Sequence, residues 1–484
     1  MKLPCTDLAM SNMKTSIMRI ATYRKMIALA GAGMIFGSAY ADIKLPAVFS
    51  DGMVLQQQAT VPIWGTSDGQ TVYITTSWSE KKYHVQVDDQ GAWRLMIKTP
   101  KAGGPYEIYL NDGNEVVLSD VLVGEVWLAS GQSNMNMRVA GSRKDNVLHS
   151  KKLIGEAGNP QIRLFRVPTN QSVHPLDDCN AVWTQPDSAS VSAFSAVAYQ
   201  FALNLQQELG VPVGIVQSAY GGTKVQAWMD STTLNSFPEL AGKPLPQKIT
   251  KNTPTVLFNA MINPILGYGI KGAIWYQGEG NRVTADRYTD WFAGMVHGWR
   301  QRWRQGKFPF YYAQIAPFKY DGTHQSAYLR EAQLNAATDI PNAGMVVTLD
   351  VGLESTIHPP DKTTVANRLS NVALSETYKK ERGEVFGPTF TRMKVNGRIA
   401  RLRFDHVADG LTASTQTLNH FEVAGADHVF YPAEAHITGK DEVAISAQQV
   451  DKPVSVRYAF KDWVVGDLYN SVGLPASSFR TDEW

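Results

Sequence analysis

Gly124-Glu125-Val126-Trp127-Leu128-Ala129-Ser130-Gly131-Gln132-Ser133-Asn134-Met135 is the stretch that decides how this chain is read. An apolar strand runs into Gly131, and Ser133 follows two residues later. A strand, a sharp turn and a helix start would lift the Ser133 hydroxyl beside helix N-terminal amides, which can stabilise an oxyanion. A serine hydroxyl needs a base to become a nucleophile. The same position also suits an ordinary N-cap serine.

The surroundings place this stretch in an α/β protein. Val213-Gly214-Ile215-Val216-Gln217-Ser218, Gly272-Ala273-Ile274-Trp275-Tyr276-Gln277, Phe310-Tyr311-Tyr312-Ala313-Gln314-Ile315 and Met345-Val346-Val347-Thr348-Leu349 read as further buried strands. Between them, Ala196 to Leu209 (stopped by Gly210) and Tyr288 to Trp303 carry apolar residues at helical spacing. Apolar strands alternating with amphipathic helices predict a largely parallel sheet. Ligands of such sheets bind beyond the carboxyl ends of the strands. Ser133, Gly221-Gly222, Gln277 and Asp350 all follow apolar strands, so one shared site is expected.

Outside this region the pattern is β. Residues 42–120 contain short β-prone runs such as Thr71-Val72-Tyr73-Ile74-Thr75-Thr76, punctuated by Ser67-Asp68-Gly69 and Asn111-Asp112-Gly113, which predicts a small β-sandwich. Residues 121–385 would be the α/β domain. Residues 386–484 return to roughly alternating runs, as in Arg398-Ile399-Ala400-Arg401-Leu402-Arg403-Phe404, and predict a C-terminal β-rich domain.

With 484 residues, more than one domain is expected. A net charge of +2 and the lack of a Lys/Arg-rich block give no footprint for a nucleic-acid partner. Arg19, Arg24 and Lys25, the apolar run 26–36 and Ala39-Tyr40-Ala41 together read as a signal peptide over residues 1–41, with a mature start at Asp42. That run is too short for a membrane span. Export to the periplasm or the extracellular space is expected. Removal of the leader takes Cys5 with it and leaves Cys179 without an internal disulfide partner. Oligomeric state is not legible.

His358, in Ile357-His358-Pro359-Pro360, is the candidate base: a near-neutral imidazole after the last parallel strand suits proton transfer. A surface histidine would look the same. The pair Gly221-Gly222 leaves backbone amides unshielded, as an oxyanion hole or a plain turn requires. Gln277 could add its side-chain amide to the oxyanion, or be a satisfied loop residue. The ten histidines show no metal-ligand spacing, and H-E-x-x-H, C-x-x-C, the Walker A motif and G-x-S-x-G are missing. No metal or cofactor is expected.

Taken together, the blocks Gly124 to Met135, Gly221-Gly222-Thr223 with Ala227-Trp228, Trp275-Tyr276-Gln277-Gly278-Glu279, and Ile357-His358-Pro359 with Lys362 resemble the sialate O-acetylesterase family within the SGNH hydrolases. Phe49 to Gln56 and the C-terminal Leu468-Tyr469-Asn470 through Phe479-Arg480-Thr481-Asp482 resemble its flanks. The resemblance implies an SGNH-type three-layer esterase domain. It also implies Ser133 as nucleophile, His358 as general base, the Ser133 amide, Gly222 amide and Gln277 side chain as oxyanion donors, and no cofactor. An exported enzyme that removes O-acetyl groups from sialic acids follows, with another acetylated carbohydrate such as xylan as the nearest alternative and a non-catalytic sugar-binding protein as the alternative of another class. Ser355 stands three residues before the histidine, where many SGNH enzymes have aspartate. Asp350, Glu354, Asp361 or a backbone carbonyl is then left to orient His358, and a Ser–His dyad is the expectation. Arg138 is a candidate to pair with a sugar carboxylate.

Overall fold

The structure is a computed structural model that describes residues 42–321 and 326–484. The expected signal peptide lies outside the described residues. From residue 42 on, the chain forms one compact unit.

Among the described residues six short strands come first: β1 (Val54–Gln56), β2 (Thr60–Thr66), β3 (Thr71–Thr76), β4 (Ser79–Gln86), β5 (Ala92–Lys98) and β6 (Gly103–Asn111). They lead into the seventeen-residue β7 (Glu115–Gly131). β2 and β5 pair antiparallel, as do β3 with β4 and β6, and β6 with the first half of β7. Val61, Ile63, Trp93 and Ile97 from one sheet share a core with Val72, Ile74, Ile108 and Leu110 from the other. This is the arrangement that alternating strands with one buried face produce.

β7 does not stop at residue 120, where the sequence suggested a boundary. Its second half is the middle of a parallel sheet with β8 (Ile162–Arg166), β9 (Trp183–Thr184), β10 (Val213–Ala219), β11 (Gly272–Tyr276), β12 (Phe310–Ala313) and β13 (Ala343–Val346). The order is β13-β12-β11-β7-β10-β8-β9, parallel throughout except for the edge strand β9. After β7 the chain moves outward to β8, returns through β10, and then crosses to β11 on the other side. That reversal opens a crevice at the carboxyl end of β7.

Among the described residues eight α-helices accompany these strands: α1 (Ser133–Asn136), α2 (Ser150–Gly155), α3 (Ser188–Ala193), α4 (Ala196–Leu209), α5 (Ser231–Asn235), α6 (Ala285–Trp303), α7 (Ser326–Asp339) and α8 (Lys362–Val372). Trp127 and Ala129 of β7 face the core built with α4 and α8. Val126 and Leu128 face the opposite core, which holds Trp275 and Phe292, Met295 and Trp299 of α6. Both faces of the sheet are therefore covered, which explains why its strands read as unbroken apolar runs.

Beyond residue 386 two four-stranded antiparallel sheets form, Thr389–Asn396, Ile399–Asp405, Glu442–Ser446 and Glu434–Gly439 in one, Phe430–Pro432, Phe421–Ala424, Ser455–Tyr458 and Phe479–Arg480 in the other. Fully buried Arg330 of α7 ties the second of these sheets to the α/β body. Its Nε donates to Ser478 Oγ at 3.0 Å and Nη1 to Ser326 Oγ at 3.1 Å. Gln314 Nε2 donates to Ser477 Oγ at 2.8 Å. The serines of the C-terminal Pro475-Ala476-Ser477-Ser478 segment thus satisfy buried donors that would otherwise be costly. Among the described residues no helix is long and apolar enough to cross a membrane.

Gly131 ends β7 with φ of +136°, and a Cβ there would lie 2.2 Å from the Tyr276 carbonyl oxygen of the adjacent β11. Gly131→Ala is expected to cost about 2–4 kcal/mol in urea unfolding, combining backbone strain with overpacking. Gly155→Ala, where a methyl meets nothing within 4 Å, should stay within about 0.5 kcal/mol of the parent.

Candidate active site

The site grows from the carboxyl end of β7. Gln132 N–H donates to Tyr276 O at 2.9 Å, and Asn136 N–H to Gln132 O at 2.8 Å, so a single helical turn, α1, starts at once. Ser133 is the first residue of that turn and is half-buried. The buried Gln132 side chain does not cap α1. Its Oε1 accepts from the Gly278 and Gly280 amides at 3.4 and 3.2 Å, clamping the loop after β11 to the Ser133 turn.

Gly221 and Gly222 follow β10 directly alongside. A Cβ on Gly221 would sit 3.3 Å from Ser133 Cβ, so glycine keeps the space beside the serine open. Lys251 Nζ donates to Gly221 O at 2.5 Å, and Asn252 Nδ2 to Gly222 O at 3.1 Å. In a trans peptide the Gly222 N–H points opposite to the Gly221 C=O. Anchoring that carbonyl on Lys251 therefore turns the Gly222 amide away from the lysine. Neither Lys251 nor Asn252 carries a motif that the sequence could have revealed.

Gln277 is placed differently from the sequence expectation. It is fully buried, and Nε2 donates to Thr223 O at 3.0 Å and to Asn281 Oδ1 at 2.9 Å, while Oε1 accepts from Tyr288 at 2.8 Å. A side-chain amide has two hydrogens. Both are engaged, so Gln277 has none left for an oxyanion. It joins the loop after β11 to the Gly-Gly turn instead.

His358 sits on the loop between β13 and α8. Its Nδ1 lies 3.0 Å from Asp145 Oδ2. Thr356 Oγ1 donates to Asp145 Oδ1 at 2.9 Å and accepts the His358 N–H at 3.1 Å. Burial pushes the Asp145 carboxyl up, but the bonds from Thr356 and His358 outweigh it and hold it below the usual range. The loop of Asp145 is held against the histidine loop by Leu148 N–H on Pro360 O at 3.0 Å.

The carboxylate at His358 is thus Asp145, and the acids named from sequence are engaged elsewhere. Asp350 forms a two-pronged pair with Arg368, at 2.7 and 2.6 Å, that fastens the end of the sheet to α8. Glu354 pairs with exposed Lys319. Asp361 caps α8 by accepting from Thr364 N–H at 2.9 Å. His358 therefore has a carboxylate beside it, at a position the sequence expectation did not name. Asp145 lies in the polar turn Gly141-Ser142-Arg143-Lys144-Asp145, which carries no periodicity or spacing that would single it out.

Asn134 links the two halves of the site. Its Nδ2 donates to Ile357 O at 3.1 Å and to Glu279 Oε1 at 2.7 Å, and its Oδ1 accepts from Lys362 Nζ at 2.6 Å. Asn136 accepts from Gln217 Nε2 at 3.0 Å. Arg138 is exposed, and its backbone bridges to Ser195. Cys179 is half-buried, and burial pushes its thiol up to about 12, as suits an inert thiol. Among the described residues, no group of three or more His, Cys, Asp or Glu side chains converges on a metal position.

A sequence profile described as a carbohydrate esterase, sialic acid-specific acetylesterase, matches residues 123–378. The chain belongs to that family. It is accordingly a carboxylic ester hydrolase. The human sialate O-acetylesterase is 27% identical over 91% of this chain and 93% of its own length. The mouse sialate O-acetylesterase is 28% identical over 85% of this chain and 88% of its own. A carbohydrate acetylesterase from Xanthomonas citri superposes with a TM-score of 0.83 at 34% identity, over 92% of this chain and 100% of its own. All four sequence blocks that suggested the family meet at the carboxyl edge of the sheet.

Asp145→Asn is expected to lower kcat by up to about ten-thousandfold, the effect of losing the orienting acid of a full triad. Asp350→Asn is expected to act mainly on stability, by about 1–3 kcal/mol, because Arg368 is left short of a charged partner. Steady-state kinetics and denaturant unfolding of both variants separate the two roles.

Proposed function

We propose that this chain is an exported serine esterase that removes O-acetyl groups from acetylated sialic acids, through an SGNH-type domain spanning about residues 121–385 and flanked by β-domains. The observation that carries the mechanism is the 3.0 Å contact of Asp145 with His358 Nδ1, on a loop that Asn134 ties to the nucleophile turn. With Nδ1–H donating to Asp145, Nε2 carries the lone pair and faces the role of base. Ser133 Oγ attacks the acetyl carbonyl and its proton passes to His358 Nε2. The negative charge on the carbonyl oxygen is met by the Ser133 and Gly222 amides. Collapse of the tetrahedral intermediate returns the proton to the departing sugar oxygen and leaves acetyl-Ser133. Water, deprotonated by His358, then releases acetate and restores the serine.

The choice of an acidic sugar is supported by Arg138 and Arg166. Arg166 ends β8 on the same edge of the sheet, and its Nη1 donates to Ala193 O at 3.2 Å, within the segment that pairs with residues 138–140. Burial first, and the neighbouring Arg138 second, push the Arg166 guanidinium down. Neither arginine has a carboxylate partner among the described residues. Two adjacent guanidinium groups suit a sugar carboxylate. A neutral acetylated polysaccharide such as xylan is the second reading, favoured by the 34% identity to the Xanthomonas citri carbohydrate acetylesterase. Acetate release from a panel of O-acetylated sialic acids and acetylated xylan decides between them. The first reading expects faster turnover of the sialic acids, and a drop on Arg138→Ala for these substrates but not for p-nitrophenyl acetate.

Ser133→Ala and His358→Ala are each expected to lose a thousandfold or more in kcat with the fold retained, and the double variant to lose little beyond either, because nucleophile and base act as one unit. Additive losses would contradict that unit. EDTA is expected to leave acetyl ester hydrolysis unchanged. Loss on chelation, restored by one defined metal, would refute the metal-free mechanism.

A further inference from the structure

Three polar side chains lie buried behind Ser133, and none of them takes part in the bond-making or proton-transfer steps above. Asn134 is fully buried, Lys362 is 1% exposed and Glu279 is 9% exposed. The Asn134 amide stands between the other two, with Oδ1 on the Lys362 ammonium and Nδ2 on the Glu279 carboxylate. The second Nδ2 hydrogen goes to Ile357 O, one residue before His358. Asn134 itself is one residue after Ser133. A single amide therefore spans from the nucleophile's turn to the base's loop.

An amide can lie either way round unless its partners choose. Here they do, because an ammonium only donates and an ionised carboxylate only accepts. Lys362 thus dictates where Oδ1 points, and leaves Nδ2 for Ile357. Burial pushes the Lys362 ammonium down to about 7, against the opposing pull of Glu279, Asp145 and Asp361. Burial pushes the Glu279 carboxyl up, against its own backbone amide, Asn134, Lys362 and His358. The Tyr276 ring lies 5.8 Å from Lys362 Nζ and closes that side. Two buried charges of opposite sign, set either side of a neutral amide, are weak as a source of stability but strong as a source of orientation.

We propose that Lys362 is a positioning residue for the esterase reaction: through the Asn134 amide it holds the Ser133 turn and the His358 loop in their reactive register. Without the ammonium, Asn134 Oδ1 loses its donor and Glu279 loses its counter-charge. Glu279 then takes up a proton and offers it to Asn134, the amide reverses, and its oxygen is set against Ile357 O. The histidine loop is released by this reversal, and small misplacements of reacting groups are costly.

This inference rests on the Ser133–His358 reading, so Ser133→Ala is measured beside it. The full chain is prepared as Lys362→Met, as Glu279→Gln, and as the double variant. For p-nitrophenyl acetate, Lys362→Met is expected to lose about a hundredfold in kcat, with KM within about threefold of the parent because the acetyl group still binds. Inactivation by a fluorophosphonate, which reports the serine's reactivity directly, should slow by a similar factor. The double variant removes both charges together. It should regain the thermal midpoint of the parent and still lack at least tenfold in kcat. Where the single variant fails to fold, the double variant carries the test. A Lys362→Met enzyme with parental kcat, a double variant in which kcat returns together with the midpoint, or a double variant that cannot fold would each overturn the positioning role. Parental activity in Ser133→Ala would instead withdraw the serine mechanism itself.

Discussion

β7 enters the sheet through the β-domain and leaves it at Gly131, pressed against the backbone of Tyr276. Its first half pairs with β6 and its second half with β10 and β11. One continuous strand therefore fixes the β-domain to the parallel sheet without a linker. Its carboxyl end also sets where the chain turns. Because the Tyr276 carbonyl approaches where a Cβ would be, the strand closes on a glycine, and the serine follows two residues later at the start of α1. Every other part of the site is placed by what can reach that turn.

The loops that reach it are fixed by buried polar groups rather than by packing alone. Gln132 holds the Gly278–Gly280 loop, Gln277 holds the Gly-Gly turn, and Asn134 holds the histidine loop. These three amides are buried, and each is hydrogen-bonded to a neighbouring block. A missing partner would leave an unpaired polar group in a low-dielectric interior, which is why such networks enforce a single arrangement. The Gln-Ser-Asn and Gln-Gly-Glu sequences are thus locking elements around Ser133. Lys251 and Asp145 add a second ring, turning a peptide and orienting an imidazole.

The α/β region was legible from its apolar strands because a parallel sheet covered on both faces leaves no other pattern. The strand–turn–helix step at Ser133 was legible for a local reason: strand, glycine and serine lie within a few residues. The Gly221-Gly222 turn was legible on the same ground. Gln277 shows the limit. Its place after an apolar strand was read correctly, while its hydrogens go to Thr223 and Asn281, partners that only the folded loop brings near. Asp350 likewise ends at the correct edge of the sheet, yet Arg368 is eighteen residues on and takes both its oxygens.

By itself the sequence determined the layered α/β body, the flanking β regions, the family, and Ser133 and His358 as the candidate nucleophile and base. Each of these is written in short-range pattern or in local blocks. The tertiary structure decided what stands behind those two residues. Asp145 lies 213 residues from His358, and Lys362 lies 228 residues from Asn134. A polar residue in a loop carries no periodicity, and its charge has no meaning until burial lowers the dielectric around it and a partner arrives. The identity of the orienting acid, the engagement of Gln277 and the orientation of the Asn134 amide depend on that long-range meeting, so only the fold could supply them.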